Sequence, residues 1–575
     1  MYYFSDSKIL LGVVMKSMSG NVMLLLAPNE NAYQQLSNIP PLALGVLKGY
    51  LSENEINTEI YDLNQTLHNR MNELTMKRWS FIYDSKRVIS FLNGESDAEI
   101  ENMLIDLVSD IDMTGFDLIG VSLGADFSWL EMHGGMMLAK WIHDKYQVQV
   151  EIGGNNLHYL LQFKNDFKEL WDAIMNMGVY VCVGPGEKML TKLVSMIQNG
   201  GIDDEVFRSL PGAVWREGEE VKSNHQDVPS LTMPDFSGLD LSPYKVCIRS
   251  AKTKEAQSLN EVHVLKWPQP YPLMASNVNR ATLNDEEKEE VLVIPYIFNY
   301  NCPFHCAFCV QSGEDKKKIV VKPTEVILDE IEELMQRYDS NFFYFYNNTF
   351  NYTPKFVREF CEGVKRRGMK FYWSDCARFN NLDYELVKML YDAGCRKLVF
   401  GFETGSEKLL KLFDKRLDLN HAVNVMKWCK GVGIWADIEV IIGLPYEFEE
   451  DYLDTETFIK KNRELINHFA VNRYFVVPDS LIGRHPERYD IKLVRVKKRY
   501  DALLNMNYQC FVEGKQVRSG ASNFQVYRYS ELNGRLHSEI VAQTNDKLKR
   551  LVNTYLELPI AQETRVMEWK ASQIK

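Results

Sequence analysis

Three cysteines stand close together near the middle of the chain. Cys302, Cys306 and Cys309 are separated by three and by two residues, and they follow the apolar segment 291–298. Thiolates are the soft ligands that hold iron–sulfur clusters, and a complete four-iron cluster normally takes four of them. The next cysteine is Cys361, well beyond this loop. The spacing therefore indicates a cluster with one iron left open for a non-protein ligand, as in catalytic metal sites.

Two other interpretations of the triplet stay open at this point. A zinc site would need a fourth Cys or His in a second close pair, and His305 lies inside the loop, where it would compete with its neighbours. The thiols could also be ordinary core residues. A metal analysis that separates iron and sulfide from zinc distinguishes these alternatives.

Composition is that of an ordinary soluble protein. The chain has 575 residues, 45% of them hydrophobic and 25% charged, with a formal net charge of −12. The acidic charge disfavours a nucleic-acid partner. The apolar segment 9–15 is too short to span a bilayer and lacks a cleavage site, so we expect no signal peptide and no membrane span. Clustered cysteines favour a reducing, cytoplasmic location.

Short apolar strands alternate with helical periods from residue 22 onward, which predicts a parallel sheet covered by helices. We expect a doubly wound (Rossmann-like) α/β domain whose ligand lies beyond the carboxyl ends of its strands. The predicted strands are 22–26, 58–61, 118–122, 148–152 and 179–183.

The alternation resumes at residue 291, with the cysteine loop after the first strand. This pattern predicts a partial (β/α)6 barrel, in which active-site residues follow the strands. The predicted strands are 291–298, 342–346, 370–373, 397–402, 435–442 and 468–476. Beyond them, residues 491–575 are expected to form a small, mainly helical cap that shapes the substrate pocket.

Small residues follow three successive strands of the first part, where they would let a flat or bulky cofactor approach the backbone. At any single position, the alternative is that a glycine only ends its strand. The segments are Ser122-Leu123-Gly124, Gly153-Gly154-Asn155 and Gly184-Pro185-Gly186-Glu187.

Together these features resemble the cobalamin-dependent radical S-adenosylmethionine (SAM) enzymes. The cysteine triplet, with Phe308 before its last member, looks like the cluster loop of that superfamily, in which SAM chelates the open iron. Residues 22–235 resemble the cobalamin-binding domain that precedes many such enzymes. The DxHxxG motif of proteins with a histidine cobalt ligand is absent, and we expect His133, the nearest candidate in position, to be a helix residue.

The resemblance implies particular contacts. Residues 401–406, Gly-Phe-Glu-Thr-Gly-Ser, resemble the GxExGS signature of this group, and asparagines stand where many relatives have acidic or glycine-rich residues. The implied cluster ligands are Cys302, Cys306 and Cys309. The implied SAM contacts are Phe308, Asn347, Asn348, Arg378, Glu403, Ile441 and Gly443. The implied cobalamin contacts are Asn29, Ser122, Leu123, Gly124, Gly153, Gly154, Asn155, Gly184, Gly186 and Glu187.

These considerations divide the chain into an N-terminal extension (1–21), a cobalamin-binding domain (22–235), a linker (236–290), a radical SAM barrel (291–490) and a C-terminal domain (491–575). The implied activity is methyl transfer to an unactivated carbon, after hydrogen abstraction by a 5'-deoxyadenosyl radical. The expected partners are a natural-product intermediate or peptide substrate and an electron donor such as flavodoxin or ferredoxin. The alternatives are a non-methylating rearrangement, cyclisation or ring contraction, and an iron–sulfur or corrinoid sensor.

Overall fold

A computed structural model describes residues 20–249, 288–311, 318–512 and 524–556, except 34, 35, 38 and 126. Most of the predicted linker and nearly all of the predicted N-terminal extension lie outside these residues. The domain boundaries therefore stay predictions.

A seven-stranded sheet occupies the first part of the chain, with the strand order β2-β1-β3-β4-β5-β6-β7. Strands β1 to β5 are parallel, and β6 and β7 add an antiparallel hairpin at one edge. The strands are β1 Asn21–Leu26, β2 Asn57–Asp62, β3 Leu118–Ser122, β4 Gln149–Gly153, β5 Tyr180–Cys182, β6 Ala213–Glu217 and β7 Glu220–Ser223. The five predicted strands are confirmed. Their order reverses between β1 and β3, where doubly wound sheets bind ligands.

Helices cover both faces of this sheet because its strands are apolar on both sides. Met23 and Leu25 contribute to one apolar cluster, and Val22 and Leu24 contribute to another on the opposite face. The helices are α1 Leu42–Glu53, α2 Leu63–Asn69, α3 Ser85–Leu92, α4 Ala98–Leu107, α5 Gly135–Tyr146, α6 Asn155–Leu161, α7 Lys168–Asn176, α8 Glu187–Gln198 and α9 Asp204–Ser209. A π-helical turn, Leu130–Gly134, leads directly into α5.

The second sheet has six parallel strands in sequence order, β10-β13-β14-β15-β16-β17. They are β10 Val293–Tyr296, β13 Phe342–Phe345, β14 Tyr372–Ala377, β15 Cys395–Glu403, β16 Trp435–Ile442 and β17 His468–Arg473. Two short antiparallel pairs flank it, β8 Val246–Arg249 with β9 Lys288–Val291 and β11 Asn299–Tyr300 with β12 Val320–Val321. Sequential parallel order is what the barrel prediction requires.

The helices of this part are α10 Thr324–Tyr338, α11 Pro354–Arg367, α12 Tyr384–Asp392, α13 Glu407–Leu412, α14 Leu419–Val432, α15 Glu449–Lys461 and α16 Leu481–Arg484. Thr353 caps α11, since its hydroxyl accepts a hydrogen bond from Phe356 N at 3.2 Å. Pro323 occupies the N-cap of α10. One predicted strand bound was wrong: the third strand was expected to end at residue 373, whereas β14 runs to Ala377 and buries the polar Asp375 within it.

The last described part of the chain spans both sheets. Helix α17 (Tyr500–Val512) packs on the first sheet, and helix α18 (His537–Leu556) packs on the second. An antiparallel pair joins β18 Ile491–Arg495, which precedes α17, to β19 Tyr527–Glu531, which precedes α18. The expected helical cap did not include this pair. In the described residues, no helix combines the length and apolarity needed to cross a membrane.

Candidate active site

The cysteine loop leaves the carboxyl end of β10 and is held in place by main-chain hydrogen bonds. Ala307 N donates to Phe413 O at 2.9 Å, and Ile482 N donates to Ala307 O at 3.2 Å. Asn301 opens the loop with a φ of 65°, in the left-handed region that asparagine tolerates better than most residues. Cys306 is buried, and Cys302 and Cys309 are half-buried.

The three thiols lie close together. Burial raises the pKa of Cys302, and it raises the pKa of Cys309 to about 11; Cys306 adds to the shift of Cys302, and both Cys302 and Cys306 add to the shift of Cys309. Within the described residues, no three His, Cys, Asp or Glu side chains are arranged as a metal-binding group. Metal binding to such buried thiols must release their protons.

Arg378 lies directly against this loop. Its guanidinium donates to Cys306 Sγ at 3.3 Å and to the Lys415 carbonyl, and it stacks 4.0 Å from the centre of the Phe304 ring. The side chain is buried, and its Nε has no partner among the described residues. A buried cation therefore stands beside the thiols, with one donor still available.

Asn347 and Asp375 form a buried polar link behind the loop. Asn347 Oδ1 accepts from Phe298 N at 3.1 Å and from Asn299 N at 2.9 Å, while Asn347 Nδ2 donates to Asp375 at 2.7 Å. Burial raises the pKa of Asp375 well above its usual value. Asn347 thus positions the strand that precedes the cluster loop, and its neighbour Asn348 is half-buried.

Glu403 ends β15 with a φ of 69°, an uncommon conformation for a glutamate. Its carboxylate pairs with Lys415 Nζ at 2.6 Å, and both residues are buried. The Lys415 ammonium also lies 5.9 Å from the centre of the Phe308 ring. The structure therefore brings Glu403, Phe308 and Arg378 to one place, with the Lys415 segment between them.

Gly443 and Ile441, at the end of β16, lie on the same side of the sheet as this group. Ile441 and Phe308 pack on one apolar cluster. Gly443 has a φ of 88°, and a side chain there would strike Thr544 of α18. Its carbonyl accepts a hydrogen bond from the Tyr529 hydroxyl. The C-terminal part of the chain thus covers this end of the candidate site.

The glycines that follow β3 and β4 lie against other parts of the chain. Gly124 has a φ of 62°, and a Cβ there would lie 1.8 Å from the Glu131 carboxylate. The Asn156 amide donates to that carboxylate at 2.8 Å and to the Leu123 carbonyl at 2.6 Å. Gly154, with a φ of 112°, lies against Gly124. These residues fix the loops that follow β3 and β4.

The remaining predicted cofactor contacts lie around the same edge. Asn29 is buried and its Nδ2 has no partner among the described residues. A Cβ on Gly184 would strike Gln226, whereas one on Gly186 would meet only ordinary contacts. Glu187 is buried and accepts from Ser230 N at 3.0 Å. The others are half-buried or exposed: Ser122, Gly153 and Asn155.

The carboxyl edges of the two sheets face each other. Ile39, in the loop after β1, packs on Val293 and Tyr344 of the second sheet. His158, in α6, lies 4.0 Å from Asp479, in the loop after β17. A cavity of about 550 Å³ also lies between the two parts, lined by residues that include Glu187, Lys188, Ser230, Val321 and Lys322.

Comparison with known proteins identifies the second sheet. Residues 296–459 match the radical SAM superfamily. The chain contains a radical SAM domain. This radical SAM domain begins at the end of β10, includes the cysteine loop and continues into α15. Its cofactors are a [4Fe–4S] cluster and SAM, and the Cys306–Arg378 site offers the soft thiolates that such a cluster needs.

Individual relatives agree with this identification. An uncharacterised methyltransferase of Pyrococcus horikoshii is 28% identical over 160 residues, which are 28% of this chain and 35% of that protein. The bacteriochlorophyllide d C-12(1)-methyltransferase of Chlorobaculum tepidum is 23% identical over 47% of this chain and 51% of its own. The chain thus spans a third to a half of these relatives.

Among solved structures, the radical SAM methyltransferase TsrM from Kitasatospora setae, with cobalamin and a [4Fe–4S] cluster bound, has a TM-score of 0.51 at 16% identity. The alignment covers 81% of this chain and 74% of TsrM, and it extends over both sheets. At this identity, the likeness shows the fold.

Sequence reasoning missed several residues that shape the site. Lys415 lies in a loop twelve positions after Glu403, and no pattern linked the two. Asp375 was not predicted as a site residue, although it is buried and accepts a hydrogen bond from Asn347. Glu131 and Asn156 were not predicted as site residues either. The sequence signal that could have identified these residues was a charged or amide side chain at an otherwise apolar position.

Proposed function

We propose that this protein is a cobalamin-dependent radical SAM enzyme that transfers a methyl group to an unactivated carbon of a small natural-product intermediate or a peptide. An external donor such as flavodoxin or ferredoxin would reduce the cluster. One observation carries the proposal: the carboxyl edge of the doubly wound sheet faces the mouth of the radical SAM domain, with the loop after β1 packed on that domain. Two cofactors held at these edges would therefore meet.

Different residues of the second sheet would hold the cluster and SAM. Cys302, Cys306 and Cys309 would hold the cluster, and Arg378 would stabilise its negative charge and orient a carboxylate with its free Nε. Glu403, paired with Lys415, would accept hydrogen bonds from SAM hydroxyl or ammonium groups. Phe308 and Ile441 offer an apolar surface for the adenine.

The first sheet fits a cobalamin in part. Asn29, in the loop after β1 at the reversal of strand order, has an unused buried amide donor, and Gly186, after β5, meets only ordinary contacts beside its backbone. When bound, SAM and the cluster supply hydrogen abstraction and cobalamin supplies the methyl group. The protein orients these groups and excludes water from them.

One observation favours a second candidate, a non-methylating radical SAM reaction. The space beside Gly124 is taken by the Glu131 carboxylate, which Asn156 holds in place by a buried hydrogen bond. A chain that had lost its cobalamin would fill the vacated space with its own side chains in this way.

Product analysis distinguishes the two. The protein is purified without oxygen, supplied with iron, sulfide, hydroxocobalamin, SAM and a reductant, and its products are measured. A methyltransferase consumes one SAM to give 5'-deoxyadenosine and a second to give S-adenosylhomocysteine. The proposal predicts both products. 5'-Deoxyadenosine alone would support the non-methylating candidate. The absence of both products would contradict radical SAM chemistry in this protein.

A further inference from the structure

Strands β15 and β16 carry three carboxylates on the face of the second sheet that points away from the helices, here called the inner face. Ile438 and Val440 pack in the apolar cluster beneath the helices. Because side chains alternate along a strand, Asp437 and Glu439 point to the inner face. The bonded pair of Glu403 and Lys415 adjoins Gly401, the register partner of Glu439.

Among the described residues, two of these carboxylates form a direct ion pair with a lysine and the third does not. Lys415 pairs with Glu403 at 2.6 Å, and Lys397 pairs with Asp437 at 2.8 Å. Within the described residues, the bonded partner of Glu439 is the amide of Asn472, at 2.7 Å. Burial, together with the charge of Glu403, raises the pKa of Glu439 to about 7. Lys397 and Asn472 offset only part of this shift, so a cation beside Glu439 would compensate the remaining cost of burying its charge.

Glu439 is also placed where a substrate would have to lie. Ile441, one step further along the same face, belongs to the proposed SAM site, and the Glu403–Lys415 pair occupies the space at Gly401, beside Glu439. Glu439 is half-buried, and Asn472 is exposed on the last strand of the sheet. The carboxylate is thus reachable from the open edge of the sheet.

Unused polar atoms lie deeper on the same face. Ser374 Oγ and Asp437 Oδ1 are buried without a hydrogen-bond partner among the described residues. Ser374 is the register partner of Lys397, which ties it to the Asp437 pair. Buried polar atoms in folded proteins are nearly always satisfied, so these point to a polar ligand or water in this space.

An aromatic wall lies on the inner face at β13, three strands away from β16. Tyr344 and Tyr346 lie edge to face with ring centres 4.5 Å apart, and Tyr344 packs with Ile39 on the inner face. Aromatic rings favour flat apolar groups and, through their faces, cations. Among the described residues, the inner face therefore combines an aromatic wall with one carboxylate, Glu439, that forms no direct ion pair.

We propose that Glu439 and Asn472 bind a protonated nitrogen of the substrate, so that the substrate class is an organic amine with an apolar, preferably aromatic, body. The assignment rests on the proposed function because it places the substrate beside the proposed SAM site. This assignment gives the chain a specificity for the charge of its substrate, which the residues proposed for the cluster and SAM do not provide.

The test uses three probes of similar size and different charge: phenethylammonium, 2-phenylethanol and 3-phenylpropionate. Their binding to the reconstituted full chain is measured by ligand-observed NMR. The wild type should prefer the ammonium probe over the alcohol by about tenfold, as expected for a hydrogen bond to a charged group. Glu439→Gln should lose this preference, and Glu362→Gln, which alters an exposed helix residue, should keep it.

Equal binding of the three probes to the wild type, or an ammonium preference that survives Glu439→Gln, would overturn the assignment. SAM affinity, followed through the cluster's electron paramagnetic resonance signal, should be unchanged in Glu439→Gln. A loss of SAM affinity in Glu439→Gln would indicate that Glu439 contacts SAM, and it would also overturn the assignment. A wild type that binds no cluster contradicts the proposed function, whereas the probe preference is measured separately on the same protein.

Discussion

Arg378 is the residue whose surroundings most directly connect the fold with chemistry. Its guanidinium is buried, bonds Cys306 Sγ at 3.3 Å and keeps Nε without a partner in the described residues. A buried guanidinium is costly unless a negative charge accompanies it. A thiolate-bound cluster and a SAM carboxylate would supply that charge.

Arg378→Met should therefore lower SAM affinity by about tenfold or more, since a hydrogen bond to a charged group contributes about 1.5–3 kcal/mol. Methionine keeps much of the buried apolar volume, so iron content should change little. SAM affinity and iron content are measured on the same reconstituted sample. Wild-type affinity in this variant would show that Arg378 does not contact SAM.

At this scale, the sequence indicated candidate ligands more readily than the residues that contact them. The cysteine triplet and the Gly-Phe-Glu-Thr-Gly-Ser segment are local in sequence and were recognisable by spacing. The Glu403–Lys415 pair depends on how a loop returns to a strand end, and the Asn347–Asp375 bond joins two different strands. Such pairings follow from tertiary structure, which local patterns do not contain.

Among the elements, the π-helical turn Leu130–Gly134 is joined to the C-terminal part of the chain by one buried histidine. His133 Nδ1–H donates to the Ile82 carbonyl at 2.6 Å, and His133 Nε2 accepts from the Tyr500 hydroxyl at 2.7 Å. π-Helical turns occur often at functional sites. Here the turn links the loop after β3 to α17.

Burial lowers the pKa of His133 to about 4 from an ordinary value of 6.5. The unfolded chain therefore binds a proton that the folded chain does not, and the stability that this histidine contributes is fully present above pH 6.5 and falls as the pH drops towards 4. The loss should reach about 3 kcal/mol. Thermal unfolding between pH 7 and 4 should become less pH-dependent in His133→Gln than in the wild type.

An unchanged pH dependence in His133→Gln would contradict this account. Tyr500→Phe provides a companion variant, since it keeps the histidine and removes only the hydroxyl that bonds it. This variant should lower the melting temperature at pH 7, because a buried hydrogen-bond acceptor is left unsatisfied at a cost of about 1–3 kcal/mol.

Helix α18 is attached to the loop after β16 by a buried ion pair. Lys547 Nζ lies 2.8 Å from Glu447 Oε1, and the other carboxylate oxygen accepts from Gly443 N at 3.1 Å. Lys547→Met should destabilise the protein by about 3–5 kcal/mol, because it leaves Glu447 buried without its cation. Chemical denaturation measures this loss.

Lys549→Met, which removes an exposed lysine from the same helix, provides the control and should leave the free energy of unfolding almost unchanged. Equal stability of the two variants would show that the Lys547–Glu447 pair does not hold α18 in place. The same experiment indicates whether the C-terminal part belongs to the cooperative fold.

The strands of both sheets were predictable because they are continuous apolar runs between helical periods. The hairpin of β6 and β7 was not, since Arg216, Glu217 and Glu220 make it look like a polar connection. The pair of β18 and β19 was missed for another reason. Its two strands are separated by a helix and by residues outside the described part, so no local turn signalled their pairing.

For the whole molecule, the decisive feature is that two sheets of different design present their carboxyl edges to each other. The radical SAM domain carries the cysteine loop at its edge, and the doubly wound sheet presents its own carboxyl edge opposite it. The sequence implied both sheets separately. Their mutual orientation depends on contacts such as Ile39 on Tyr344, which join residues about three hundred positions apart.

The metal content of the reconstituted protein tests the central claim most directly. The full chain is supplied with iron, sulfide and hydroxocobalamin without oxygen, desalted, and analysed for iron and cobalt beside Cys306→Ala and the control Cys510→Ala. The account predicts about four irons and one cobalt per chain in the wild type and in the control, and cobalt with little iron in Cys306→Ala. A wild type that retains its iron but no cobalt would contradict the cobalamin-dependent account.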